Sequence, residues 1–371
     1  MIYLDHAATT PISDAAREAM EPFLGERFGN ASEPHALGRA ARAALEQARR
    51  TVAERTGCEP RQVILTSGGT EADNQAVFGL AGDEPGRIVV GAVEHPAVRE
   101  PALQLERRGF AVAWAPVDGN GLLDVEAFRD LVRPGDRLAA VMWANNVTGV
   151  IQPISGVAAI CADAAVPLHV DAVQAAPSLP LAFAAAGTAT MALSAHKLHG
   201  PKGVGCLLAR DPPAIPPLIF GGGQEAGRRS GTENVAGAVG FAAALAEAPP
   251  ADDPRRALRG RLEAGLPGGV AVVSADADRL PGHSLLLVAG LRAELLVLAL
   301  DRAGFAVAAG SACESEDQEP SHVLTAQGLN AAEARSVIRV SLGSGSTSAE
   351  VDGFLAALAA AFADLRTGAL A

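Results

Sequence analysis

Short apolar runs rich in β-branched residues alternate along the chain with longer alanine-rich stretches of helical spacing. The runs predict strands at 63–66, 87–92, 111–115, 138–144, 167–170, 191–194 and 204–209. Helical spacing between them predicts helices at 71–80, 97–108, 125–131 and 155–164, preceded by a long one at 35–55. The strand runs are apolar on both faces. Such strands alternating with helices imply a mostly parallel seven-stranded sheet covered on both sides. A helix at 235–247 ends in a Pro/Asp-rich break at 248–254. Beyond it, helices at 255–266, 293–303 and 349–365 and strands at 270–274, 284–288 and 336–341 predict a smaller α+β unit.

Composition narrows the class. Hydrophobic residues make up 49% of 371 positions and charged residues 19%, the balance of a globular protein. The net charge of −12 argues against a general nucleic-acid surface. Cys58, Cys161, Cys206 and Cys313 are far apart, with no zinc-ligand spacing, so no metal site is expected. Sparse cysteines suit a reducing compartment. No secretory signal is visible, and the apolar runs 179–193 and 285–300 are interrupted by polar residues, so a cytoplasmic protein without membrane contact is expected.

Only Lys197 and Lys202 are lysines among 30 basic residues; the others are arginines. Arginine keeps its proton, whereas lysine can lose it and form a Schiff base. Lys197, flanked by His196 and by Ser194 and His199, is read as a covalent catalyst. Lys202 is read as a salt-bridge residue.

Polar residues gather at predicted strand ends. In TSGGTE (66–71), glycines followed by a helix start suit an anion; Ser67 or Thr70 acting as an ordinary N-cap is the alternative. Asp171 ends a buried strand, where α/β sheets bind ligands and where a carboxylate calls for a cation. An N-cap role competes with that reading. His95 ends another strand and Asn145–Asn146 a third. A phosphate site, a pyridinium partner and a Schiff-base lysine together specify pyridoxal 5'-phosphate.

With these residues in view, the chain resembles the cysteine desulfurases, pyridoxal-phosphate enzymes of the class V aminotransferase group. The matching segments are LDHAATTP (4–11), FGN (28–30), TSGGTEADN (66–74), EHPAV (94–98), NN (145–146), HVDAVQ (169–174), SAHKLHGPKG (194–203), GGGQEAGRRSGTENV (221–235), SACES (311–315), EPSHVL (319–324) and IRVSLG (338–343). The spacing around Cys313 is similar to that of the long-loop branch typified by nitrogen-fixation and iron–sulfur-cluster enzymes. The resemblance implies fold type I, with a large cofactor-binding domain at 14–248 and a small domain from 1–13 and 249–371. It implies that Lys197 holds the cofactor and moves the substrate proton, that Asp171 pairs with the pyridine N–H, and that Gln174 bonds the phenolic oxygen. His95 would stack on the ring and transfer protons. Gly69, Thr70, Ser194 and His196 would hold the phosphate, with Ala195 lining the same turn. Thr232 would reach the phosphate of a partner subunit in a homodimer. Asn146 would touch cofactor and substrate, Arg339 would clamp the carboxylate of L-cysteine, and Asn30 would assist. A buried arginine in a strand needs an anion, which supports the clamp. The chain departs from the family pattern at Val147, where an acidic residue is usual, and at Ala226, where a basic one is common.

Cys313 lies in AGSACES, among small residues, and would take sulfur as a persulfide for a sulfur-acceptor protein. Iron–sulfur cluster assembly is the leading destination, with tRNA or DNA sulfur modification and specialised biosynthesis as alternatives. Selenocysteine lyase or another class V lyase or aminotransferase is the rival activity, and a non-catalytic subunit of a sulfur relay a third reading. Carboxylates at Glu314, Glu316 and Asp317 raise a neighbouring thiol's pKa. Cys313 is therefore expected to become reactive on reaching the cofactor, not to rest as an activated thiolate. Cys58, Cys161 and Cys206 read as core thiols. His6, His35, His199, His283 and His322 read as structural or peripheral.

Overall fold

The computed structural model describes residues 1–247, 252–310 and 320–367. The first part of the chain runs β1 (Ile2–Tyr3), α1 (Asp14–Leu24), α2 (Ala36–Thr56), β2 (Val63–Thr66), α3 (Gly69–Ala81), β3 (Arg87–Gly91), α4 (Pro96–Arg107), β4 (Ala111–Ala115), α5 (Val125–Leu131), β5 (Leu138–Ala140), α6 (Ile154–Asp163), β6 (Leu168–Asp171), β7 (Thr190–Ser194), β8 (Gly205–Ala209) and α7 (Val235–Ala246). It continues with α8 (Arg255–Ala264), β9 (Val270–Val273), β10 (His283–Val288), α9 (Ala293–Arg302), β11 (Phe305–Ala306), β12 (Ala308–Ala309), α10 (His322–Ala326), α11 (Ala331–Ala334), β13 (Val337–Ser341) and α12 (Ser348–Thr367).

Seven strands form one sheet in the order β2-β8-β7-β6-β5-β3-β4. All neighbours are parallel except β8, which is antiparallel to both β2 and β7. Side chains alternate across a strand, and here both faces are covered. Val89 and Ala139 pack with Leu45 and Val52 of α2 and Phe241 of α7. Their neighbours Ile88, Val90, Leu138 and Ala140 pack on the other face with Val77 of α3 and Val98 and Leu105 of α4. That is why these runs lack polar alternation.

A second sheet, β12-β13-β10-β9, is antiparallel throughout. Its core joins Leu286, Ile338 and Val340 to Leu262 of α8, Leu296 of α9 and Phe354 and Leu358 of α12. The N-terminus belongs to this region: β1 pairs with β11, and Asp5 bridges to Ser341 at the end of β13.

The sequence-predicted strand 138–144 ends early, at Ala140. Val141 and Trp143 still donate N–H bonds to carbonyls of His169 and Asp171, but Met142 N donates to Glu94 Oε1 at 2.7 Å. The carboxylate takes the bond that would have continued the ladder. Helix α1 was not foreseen. Its apolar residues Ala16, Ala19, Met20 and Phe23 follow helical spacing, but only Ala16 is fully buried and Pro22 lies inside it; Ser13 caps it through Ala16 N. The expected break at 248–254 lies partly outside the described residues.

Candidate active site

Helix α3 begins at Gly69 with Gly68 as its N-cap, and no side chain caps it. The sequence alternatives, Ser67 or Thr70 as cap, are therefore corrected. Its first-turn N–H groups stay available for an anion. Gly69 is required sterically: a Cβ there would lie 2.6 Å from Val173 Cγ2. This close approach sets the turn beside Ser194, at the end of β7. A cavity of about 460 Å³ opens there, lined by Thr9, Gly68, Gly69, Thr70, Ser194, His196 and Lys202 among others. Lys202 lines this cavity, as does Glu71, whose carboxylate is paired with Arg229.

Asp171 closes β6, is 5% exposed and accepts one hydrogen bond, from Val173 N at 2.9 Å. Burial pushes its pKa above the ordinary aspartate value, while His95 and Lys197 draw it back. A cation set against it would hold it ionised.

His95 caps α4, its Nδ1 accepting from Ala97 N at 3.0 Å. The proton of the neutral ring therefore sits on Nε2, the atom left to face a ligand. Burial lowers its pKa; Asp171 opposes that, and Lys197 and His322 add to it. Burial also lowers His196, to about 4, with Lys197 and Lys202 contributing. His196 is thus neutral near pH 7, its Nδ1 3.1 Å from Thr9 Oγ1, and the positive charge of the cradle rests with Lys202 and the helix dipole.

Lys197 Nζ donates to the carbonyls of Ala7 at 2.6 Å and Ala8 at 2.8 Å. Gln174 Nε2 donates to the same Ala7 carbonyl. Ala195, fully buried, turns the chain between Ser194 and Lys197. On the far side of Lys197 a cavity of about 670 Å³ is lined by His6, Gln174, His199, Arg255 and His283, among others.

Arg339, buried in β13, donates from Nη2 to Asp5 Oδ1 at 2.7 Å and from Nη1 to the Asn146 carbonyl at 2.9 Å. The anion that a buried guanidinium needs is supplied within the chain by Asp5. Its Nε is buried without a partner. Asn145 shapes the turn: its Oδ1 accepts from Val147 N and Thr148 N, and its Nδ2 reaches the Val93 carbonyl.

The structure thus gathers Lys197, Asp171 and His95 in one electrostatic cluster and joins Gly69, Thr70, Ser194 and His196 around one cavity. Asn146 joins Arg339. Asn30 lies in an exposed turn, its Oδ1 bound to Ser32 N. Thr232 is exposed on the 221–234 loop. Cys313 lies outside the described residues. Cys161 and Cys206 are buried thiols and Cys58 is half-buried; burial raises Cys161 to about 12. Sequence reasoning passed over Asp5 and the Ala7 carbonyl, although both lie within LDHAATTP.

The donor set fits pyridoxal phosphate: an uncapped helix start for phosphate, a buried carboxylate for a pyridinium, and a lysine within electrostatic reach of that carboxylate. Among the described residues no group of side chains has a metal-binding arrangement, and no helix is long and apolar enough to cross a membrane.

The aminotransferase class-V family model matches residues 2–354. A cysteine desulfurase of Cereibacter sphaeroides is 43% identical over 365 residues, covering 96% of this chain and 94% of its own. An IscS-like cysteine desulfurase of Mycobacterium tuberculosis is 42% identical over 388 residues, covering 100% and 98%. A solved NifS-like protein superposes with a TM-score of 0.89 at 34% identity, covering 96% of this chain and 98% of that one.

Proposed function

Since this chain belongs to the aminotransferase class-V family and is a cysteine desulfurase, we propose that it moves the sulfur of L-cysteine to Cys313 with pyridoxal 5'-phosphate held at Lys197. The balance is simple: L-cysteine and the Cys313 thiol become L-alanine and a Cys313 persulfide. The bound cofactor would serve as the electron sink that labilises the substrate Cα proton and then the carbon–sulfur bond. The observation that carries this reading is the cluster of Lys197, buried Asp171 and His95 beside the uncapped start of α3.

Each residue has a role its setting supports. Asp171 keeps the pyridine nitrogen protonated. The α3 amides, Thr70, Ser194 and neutral His196 bind phosphate, with Gly69 and Ala195 shaping the turns. Gln174 orients the phenolic oxygen from its anchor on Ala7. Lys197, released by the substrate amine, moves the Cα proton. His95 covers the ring and offers Nε2–H to the substrate thiol. Arg339 receives the carboxylate, with Asn146 and Asn30 beside it.

The protein acts as a homodimer in which Thr232 completes the partner subunit's phosphate site. Exposed apolar side chains support this: Phe220 is 81% exposed next to Leu218 and Ile219, and Ile12, Leu24, Phe28 and Leu37 are also exposed. The chain divides into a large domain, 14–248, and a small one, 1–13 with 249–371, so that the Cys313 segment belongs to the smaller unit. Unpaired thiols at Cys58, Cys161 and Cys206 support a reducing, cytoplasmic setting. The persulfide passes to an acceptor protein, with iron–sulfur cluster assembly the leading destination.

The test is a pair of variants. Lys197→Ala is expected to lose the visible absorbance of covalently bound cofactor and all alanine formation. Cys313→Ser should retain the absorbance and lose persulfide. Full desulfuration by Lys197→Ala would end this reading. Undiminished sulfide release by Cys313→Ser would remove the nucleophile and favour a lyase.

A further inference from the structure

We propose that Asp5 is a positioning residue for substrate recognition: it fixes the Arg339 guanidinium so that its remaining N–H groups meet the carboxylate of an α-amino acid. The inference rests on the reading of Arg339 as the carboxylate site. A guanidinium has five N–H donors. Two are used here, one Nη2 donor by Asp5 Oδ1 at 2.7 Å and one Nη1 donor by the Asn146 carbonyl at 2.9 Å. Nε is buried and has no partner. A buried donor left unmade is destabilising, so the arginine stands ready for a further acceptor. The outer N–H groups and Nε suffice for a carboxylate fork.

Asp5 could instead be a stand-in that the substrate displaces. The backbone argues otherwise. Asp5 bridges to Ser341, two residues beyond Arg339 on the same strand. Ser341 N donates to the Leu4 carbonyl, His6 N donates to the Ser341 carbonyl, and Ala7 N donates to Ser341 Oγ. The Asp5 carbonyl accepts from Ala8 N. Carboxylate and guanidinium therefore ride on one hydrogen-bonded unit.

The same segment reaches the lysine. The Ala7 carbonyl accepts from both Lys197 and Gln174, and Thr10 donates from N and Oγ1 to the His196 carbonyl. Residues 5–10 form a strap that joins the carboxylate receptor to the lysine that would hold the cofactor. Its length sets the spacing of amine and carboxylate that the site accepts, which is the definition of an α-amino acid.

Two ligands that differ only in the carboxylate, L-alanine and ethylamine, test this when titrated against holoenzyme by cofactor absorbance. Asp5→Asn is expected to weaken L-alanine about tenfold, the value of one hydrogen bond to a charged group. Ethylamine should bind as it does to the parent. KM for L-cysteine should rise by the same factor with kcat nearly unchanged, a split that general unfolding does not produce. L-Alanine binding that is equal or tighter in Asp5→Asn overturns the proposal. Arg339→Gln separates the two readings. If it keeps the preference for L-alanine, Arg339 is not the carboxylate site and the proposal falls with it. If it loses the preference while Asp5→Asn keeps it, only the role of Asp5 is wrong. Should Asp5→Asn not fold, Asp5→Glu decides: its longer carboxylate must weaken L-alanine and spare ethylamine, and unchanged L-alanine binding overturns the proposal.

Discussion

Replacing Glu225 by glutamine removes one charge from a buried pair that ties the 221–234 loop to the strand leading into the phosphate cradle. Glu225 Oε2 lies 2.8 Å from Arg49 Nη1, and Oε1 lies 2.8 Å from Arg49 Nη2. Oε2 also accepts from Leu65 N, and Arg49 Nη1 donates to the Val63 carbonyl, both residues of β2. The two side chains are 9% and 2% exposed. Glu225 and Ala226 both sit at positive φ, 51° and 55°, which non-glycine residues hold only under constraint. Glutamine fills the same space, but it removes the charge and can turn an amide donor toward guanidinium donors. Removing one partner of a buried pair costs about 3–5 kcal/mol. Arg49 keeps Glu46 at 3.3 Å and the Val63 carbonyl, which places the expected loss near the low end, about 3 kcal/mol. Urea unfolding of the holoenzyme measures it, alongside Arg49→Met and the double variant. The double variant should recover part of the loss, because no uncompensated charge remains. The Glu225→Gln variant should also release cofactor faster, since Thr232 lies on the loosened loop. A loss below about 1 kcal/mol would reduce the pair to a surface salt bridge and refute the reasoning.

Burial, with Arg339 second, lowers the His283 pKa from its ordinary 6.5 to about 3. Between those values the unfolded chain binds the proton and the folded one does not, so this contribution is intact above pH 6.5 and fades as pH falls toward 3. At pH 5 the loss is about 2 kcal/mol; His283→Gln should show that much less change in stability between pH 7.5 and pH 5 in about the same buffer, and an unchanged profile would contradict the assignment. Phe220→Asp should shift the protein toward monomer in sedimentation, and an unaltered dimer would move the interface elsewhere. Cys313 in the resting holoenzyme should alkylate no faster than an ordinary thiol, read by peptide mass mapping; a rate typical of an activated thiolate would contradict the effect assigned to Glu314, Glu316 and Asp317.

The elements that pack both faces of the large sheet were legible because their side chains report burial directly. Helix α5 matches its sequence reading end to end, since Asp124 caps it through Ala127 N and Phe128 anchors it in the core. Helix α1 was missed although Ala16, Ala19, Met20 and Phe23 follow helical spacing, because Pro22 reads as a breaker within so short a segment. The two-residue strands β1, β11 and β12 are too short to show any period. At the site, the proximity of Lys197, Asp171 and His95 was legible because all three lie at or just past the ends of strands of one sheet. The strap of residues 5–10 was not. Its work is done by the Ala7 and Ala8 carbonyls, which every residue type possesses, and by Asp5, which meets Arg339 across 334 positions. The place of Lys202 in the cavity wall beside Thr70 and Glu71 was not legible, because only folding brings its turn to the start of α3.

Sulfur is proposed to pass from L-cysteine to Cys313 by way of a cofactor on Lys197. Brief exposure of the holoenzyme to sulfur-labelled L-cysteine, followed by mapping without reductant, tests it most directly. One labelled sulfur is expected on the peptide containing Cys313, with one L-alanine formed for each persulfide and neither product in Lys197→Ala. Label appearing on Cys58, Cys161 or Cys206 instead, or alanine forming without Lys197, would contradict it.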